Sequence, residues 1–236
     1  MALPKLDKPI FELEVPSFGK SLKFRPFTVK EEKILLIAQQ ERDEKAIILS
    51  IKQVINNCCL EPNFDIDSLA TFDLEYVFLK LRARSINNVI EVSYRDNEDD
   101  KVYDFEIDLD KVEMLQMNKV SNIIQITEDV GIKMKYPSVT IIDDAPTEAS
   151  AGDMVEYLIR SCVESIFDSE NVYPASDYTP EELAKWIDDL DIETFNKIRA
   201  FFDNLPQMYY KIEYTNSLGN ERAIELTTLS DFFTWG

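Results

Sequence analysis

The sequence predicts an α+β fold: an N-terminal hairpin and helical hairpin, antiparallel β-hairpins in the middle, and C-terminal helices with a terminal β-hairpin. Three observations lead there. Short runs alternate apolar and polar residues with the period of a half-buried strand. Longer runs repeat their apolar residues at helical spacing. Breaks rich in Pro, Asp and Asn separate the two kinds of run.

Along the chain, Ile10–Val15 and Ser21–Phe24 read as a hairpin around Pro16-Ser17-Phe18-Gly19, with Phe11, Leu13 and Val15 on one face. Pro26 cannot donate to a sheet ladder and keeps Arg25 extended, so the second strand ends there. Thr28 with Glu31 three residues on is a capping box, and Glu31 and Glu32 complement the positive helix end. The first helix runs from about Val29 to Glu41, with Ile34, Leu35, Ile37 and Ala38 as its apolar face. A second helix restarts at Asp43 as N-cap and reaches Cys59, its stripe being Ile47, Ile48, Ile51, Val54 and Ile55. Gln40–Asp43 would be the corner of this αα-hairpin.

Leu60–Thr71 is a connector. Phe72–Arg84 follows as a helix on Leu74, Val77, Phe78 and Leu81, acids early and bases late as the dipole favours. Ile90/Val92/Tyr94 and Tyr103/Phe105/Ile107/Leu109 form a hairpin whose tip, Asp96-Asn97-Glu98-Asp99-Asp100, reads as acidic and flexible. Ile123–Thr127 and Gly131–Tyr136 make a further pair, and Val139–Ile142 is a short apolar run. The small, polar tract Pro146–Gly152 reads as a linker between an N-terminal α+β domain, 1–145, and a C-terminal helical domain with a terminal hairpin, 146–236. In the latter, Val155, Leu158, Ile159, Cys162, Val163 and Ile166 define an amphipathic helix, and Ser169–Tyr178 is a loop. Thr179-Pro180-Glu181-Glu182 is a second capping box, with Pro at the first helical position, opening a helix through Trp186. Asp191–Phe202 is another helix, and Met208–Tyr214 with Arg222–Leu226 is the last hairpin.

The 236 residues carry a net charge of −20, unevenly: residues 1–60 sum to +2 and residues 61–236 to −22. Phosphate neutralisation needs clustered Lys and Arg, so neither nucleic acid nor an anionic membrane surface is an expected partner. No histidine is present, which removes the usual general base and the commonest metal ligand. Cys58, Cys59 and Cys162 read as free thiols of a reducing compartment. No run approaches the roughly 18 apolar residues of a membrane span, and the expectation is a soluble, intracellular protein. The five glycines form no phosphate loop, and no Gly-x-Ser-x-Gly elbow occurs. The doublets Asp99-Asp100, Asp143-Asp144 and Asp188-Asp189 lack calcium-loop spacing. No catalytic residue, cofactor or metal site is therefore expected.

Two stretches are interface candidates. Phe24, Arg25, Pro26, Phe27, Lys30 and Lys33 form a corner between strand and helix: either a structural joint or a positively charged docking corner on an acidic chain. Phe232, Phe233 and Trp235 either cap the last hairpin's core or anchor a partner.

Leu3-Pro4-Lys5-Leu6 with Phe11-Glu12-Leu13, then Phe24-Arg25-Pro26-Phe27-Thr28-Val29-Lys30-Glu31-Glu32-Lys33, resembles the N-terminal pattern of the baseplate hub assembly proteins of T-even-type contractile-tailed phages. Thr71-Phe72-Asp73-Leu74-Glu75-Tyr76-Val77-Phe78 with Leu81-Arg82-Ala83-Arg84-Ser85 is similar to a second block, and Leu229-Ser230-Asp231-Phe232-Phe233 to a third. One departure stands out: relatives look as though the last hairpin turn carries paired cysteines, as a small zinc ribbon would. Here that turn is Thr215-Asn216-Ser217-Leu218-Gly219-Asn220, so the hairpin is expected to hold by Tyr210, Ile212, Tyr214, Ile224 and Leu226 alone. The resemblance implies a hub subunit or hub assembly factor. It would be made in the infected host's cytoplasm, act by non-covalent contact with hub or other tail proteins, and in one outcome enter the virion. The alternative is an acidic inhibitor that mimics nucleic acid and blocks a host DNA-binding protein.

Overall fold

The chain, a computed structural model, is described over residues 7–41, 44–116, 121–146 and 149–232. Its contacts divide into two compact units. One is built from Met1–Leu115 and Gln207–Gly236, the other from Gln116–Pro206.

The first unit opens with the expected hairpin, β1 (Phe11–Val15) against β2 (Lys20–Phe24), in register from Phe11↔Phe24 to Val15↔Lys20. Gly19 closes the turn at φ 56°, the left-handed region that favours glycine. Helices α1 (Val29–Glu41) and α2 (Glu44–Cys58) follow; the corner between them includes residues 42 and 43, among them the expected N-cap Asp43, which lie outside the described residues. α2 buries Ile51, Val54 and Ile55 as its stripe required. In α1, Ala38 is buried but Ile37 points outward at 59% exposure, so that helix's apolar face is not the one its spacing suggested.

Helix α3 (Thr71–Ser85) begins with a fully buried carboxylate, Asp73. It accepts hydrogen bonds from the Ser17 backbone N–H at 3.0 Å, the Ser17 hydroxyl and the Ala70 N–H at 3.3 Å, tying the first hairpin's turn to the helix start. Burial raises its pKa while the Ser17 and Ala70 donors oppose the rise. Next come β3 (Val89–Arg95) and β4 (Val102–Asp108), paired from Val89↔Asp108 to Arg95↔Val102, and a short strand β5 (Glu113–Leu115).

The second unit interrupts the first here. Strands β6 (Ile123–Gln125) and β7 (Gly131–Met134) lead through a single turn α4 (Thr140–Asp143) to α5 (Ala151–Cys162). Ser150 and Asp153 cap α5 reciprocally. The expected helix does not continue to Ile166: it stops at Cys162 and the chain becomes β8 (Val163–Phe167), then β9 (Val172–Pro174) inside the expected loop. Val163 and Ile166 are three apart, a spacing that fits a helix, but these β-branched residues pair with β7 instead, Val163 with Met134 and Ile166 with Ile132. The four strands run antiparallel in the order β6-β7-β8-β9. Helices α6 (Pro180–Asp188) and α7 (Ile192–Asp203) complete the unit, α6 with the expected capping box of Thr179 and Glu182. Ile132, Met134, Ile159, Cys162, Ile198 and Phe201 form its core.

The division expected at 145/146 thus falls inside this unit, because β7 before it pairs with β8 beyond it. Small polar composition marks a connection, not a domain boundary.

Chain return is made by β10 (Gln207–Thr215), which pairs with β5 through Gln207↔Leu115 and with β11 (Glu221–Leu226) through Tyr210↔Leu226 to Thr215↔Glu221. The core of this part gathers Leu79 and Ala83 of α3, Val92, Ile107 and Leu109 of the middle hairpin, and Met208, Ile212, Ile224, Leu226 and Phe232.

The tips of β3–β4 and β10–β11 are clasped together. Asp96 is 1% exposed; its Oδ2 accepts from the Tyr214 hydroxyl at 2.5 Å and from Arg222 Nε at 3.1 Å. Glu98 accepts from Arg222 Nη1 at 2.8 Å, Asn216 at 2.8 Å and Asn220 at 3.0 Å. Asp99 accepts from the Tyr103 hydroxyl at 2.6 Å and from both the backbone and hydroxyl of Ser217. The acidic tip is therefore a fastener, not a free loop. The last hairpin holds by this polar lock in addition to the packing expected of it.

Candidate functional site

Phe24 ends β2 fully buried, stacked on Phe11 at 6.5 Å and meeting Phe64 edge-on at 6.3 Å. With Pro26 next, the ladder stops, and an isolated bridge joins Phe24 to Cys59, just past α2's end. Arg25 then fastens three segments. Its guanidinium donates to Glu31 at 3.0 and 3.4 Å, to the Pro26 carbonyl at 3.0 Å and to the Asn57 carbonyl at 2.9 Å. Glu31, 2% exposed, also accepts from the Thr28 N–H at 2.8 Å and hydroxyl at 2.6 Å, which makes the carboxylate half of the expected box, while the Thr28 hydroxyl accepts from the Lys30 N–H at 3.3 Å. Burial alone would raise the Glu31 pKa, but the hydrogen bonds from Arg25 and Thr28 outweigh it and bring it down to about 2. The same pairing raises the Arg25 pKa.

Phe27 is buried too, and its N–H donates to the Ser85 hydroxyl at 3.0 Å, at the last turn of α3. Phe232 is buried in the core and lines a cavity of about 390 Å³ together with Arg82 and Ile86 of the same turn. Phe27 and Phe232 are thus both placed at the C-terminal end of α3. Phe233 and Trp235 lie outside the described residues.

Of the six corner residues, Phe24 and Phe27 are core, Pro26 is half-buried, and Arg25 has its donors engaged internally. Lys30 and Lys33 alone face solvent. They belong to a wider exposed face of α1, on which Val29, Lys33, Leu36, Ile37 and Gln40 follow one another at helical spacing. Val29 is 71% and Leu36 49% exposed, and Leu49 of α2 is exposed as well. The sequence reading missed this face. Its signal was present in the run Ile34-Leu35-Leu36-Ile37, too long an apolar run for one buried stripe.

Among the described residues no group of three or more His, Cys, Asp or Glu is placed to hold a metal ion. Cys58 is pushed up to about 11 and Cys162 to about 12 by burial, which keeps both as thiols. No helix of the described residues is long and apolar enough to cross a membrane.

The family model described as T4 bacteriophage base plate protein matches residues 8–234, nearly the whole chain. Neither a curated protein nor a solved structure matches it.

Proposed function

The chain belongs to the T4 bacteriophage base plate protein family and has a phage baseplate role; from that premise we propose that it serves as a subunit of the baseplate hub or as a factor in the hub's assembly, acting by non-covalent contact. The observation that carries this is the family match across both compact units. Physical support comes from α1. Leu36 and Ile37 expose apolar surface beside Lys30 and Lys33, on a chain whose remaining charge is strongly acidic. Such a face is suited to another tail protein. The acidic body keeps the chain soluble in the host cytoplasm before assembly and in the tail baseplate afterwards.

The nucleic-acid-mimic reading loses its densest carboxylate row, because Asp96, Glu98 and Asp99 are taken up by Arg222, Tyr214 and Ser217. Substituting Arg25 or Phe27 would test folding, since both are built into the joint. Binding is tested by Ile37→Glu and Lys33→Glu. Either change should weaken capture of hub proteins from infected cells by about tenfold or more while thermal unfolding stays within a degree or two of the parent. Undiminished capture of those proteins by both variants contradicts the role given to α1. Mass spectrometry of finished particles then separates a resident subunit from an assembly factor.

A further inference from the structure

The second unit carries an open pocket of about 450 Å³ that the baseplate reading does not use. Its walls are four aromatic rings, Phe167, Tyr173, Tyr178 and Trp186, and two carboxylates, Asp168 and Glu182, stand among them. Among the described residues no lysine or arginine lines it. Each wall has a local cause. Gly131 lies opposite Phe167 across the β7–β8 pair, and a Cβ there would come within 2.3 Å of the Phe167 ring, so glycine lets that ring lie over the strand. Tyr173 pairs with Ile166 on β9, whose outer edge has no partner strand among the described residues. Glu182 and Trp186 are four apart on α6 and share one side of the helix.

We propose that this pocket receives an arginine side chain from a basic, extended segment of a protein partner. A guanidinium is planar and weakly hydrated; it stacks on ring faces and offers a fork of donors to carboxylates at once. The pocket supplies both kinds of surface. Asp168 is held below the usual carboxylate range by the Tyr173 hydroxyl, 2.7 Å away, and by the Glu170 and Asn171 N–H groups, so it is charged at neutral pH. Glu182 uses Oε2 to accept from the Thr179 N–H at 2.9 Å, and among the described residues none donates to Oε1. Charge on the larger scale points the same way: residues 116–206 hold eighteen carboxylates against seven Lys and Arg, a net of −11. An extended segment is the fitting source because the free edge of β9, with Val172 66% exposed, gives main-chain partners beside the pocket.

The test is NMR titration of the whole chain, read at the Trp186 indole N–H signal, which a Trp186→Phe variant assigns. The probes are an acetylated Gly-Val-Arg-Val-Gly amide, the same peptide with lysine or with citrulline, and agmatine. The arginine peptide should shift the signal saturably, with citrulline at least about tenfold weaker and lysine weaker by about threefold or more. Tyr178→Ala, an exposed position, should weaken the arginine peptide by about fivefold or more with unfolding unchanged. No saturable shift, or a citrulline peptide equal to arginine, overturns the proposal. A lysine peptide as good as arginine overturns the guanidinium assignment, and agmatine as good as the peptide overturns a polypeptide source. None of these outcomes bears on the α1 face, so the two readings fail separately.

Discussion

Lys80 on α3 buries its ammonium against three backbone carbonyls, those of Leu109 at 2.8 Å, Asp110 at 2.9 Å and Val112 at 2.8 Å, with the Tyr76 ring 5.3 Å away. It closes the turn that leads from β4 to β5. In the sequence it looked like one of three late basic residues serving the helix dipole; only the fold reveals the carbonyls it faces. Lys80→Met should cost about 2–4 kcal/mol by urea unfolding, because it leaves buried acceptors without a donor. Glu75 behaves oppositely. Burial, with Asp231 adding repulsion, raises its pKa from 4.5 to about 7. A carboxyl raised on folding contributes fully below its unfolded pKa and loses that contribution as pH climbs through the folded value. Glu75→Gln should therefore match the parent at pH 4 and be more stable by about 1–2 kcal/mol at pH 8. Equal stabilities at pH 8 would refute the shift. Glu31 has the reverse sign: lowered to about 2, its contribution is present above 4.5 and fades as pH falls toward 2.

At the scale of elements, local rules were legible and distant partners were not. Period-two runs placed both strands of β1–β2, β3–β4 and β10–β11 to within a residue or two, and the boxes at Thr28 and Thr179 located the starts of α1 and α6. These signals sit within a few residues of one another. The clasp between Asp96–Asp99 and Tyr214–Arg222 joins groups more than a hundred residues apart, and charge density at the tip suggested solvent instead. Strand β5 escaped notice because three residues show no period; its pairing to β10 defines it. The clasp should be measurable as protection. Arg222→Met removes donors to Asp96, Asn97 and Glu98, and amide exchange should accelerate at 96–101 and 216–220 together while α5 and α7 keep their rates. Acceleration confined to residue 222's own strand would mean that the tips hold independently.

Across the whole molecule, one unit is inserted into the other. The chain leaves the first unit after Leu115 and re-enters at Gln207, and those two residues are partners across the β5–β10 ladder. The ends are thus already adjacent. Replacing 116–206 by a short Gly/Ser turn should leave the first unit folded, with a cooperative transition and the near-ultraviolet dichroism of its aromatic core. A molten product would show that it needs the insertion. This nesting was hidden in the sequence because composition reports on neighbouring residues, whereas a discontinuous domain is declared by pairing across ninety-one intervening positions. Of the candidate corner, the chain stop at Pro26 and the cap at Thr28 were legible from neighbouring residues; the packing of Phe24, Arg25 and Phe27 into the joint, and the exposed face that runs from Val29 and Lys33 to Ile37, depend on distant partners that the sequence does not show. Quantitative mass spectrometry of baseplates and their assembly intermediates, isolated from infected cells making either the parent or Ile37→Glu, bears on the baseplate role most directly. Parent chain in fixed ratio to hub proteins, with the variant depleted, is the expected result; parent chain missing from both baseplates and intermediates would contradict it.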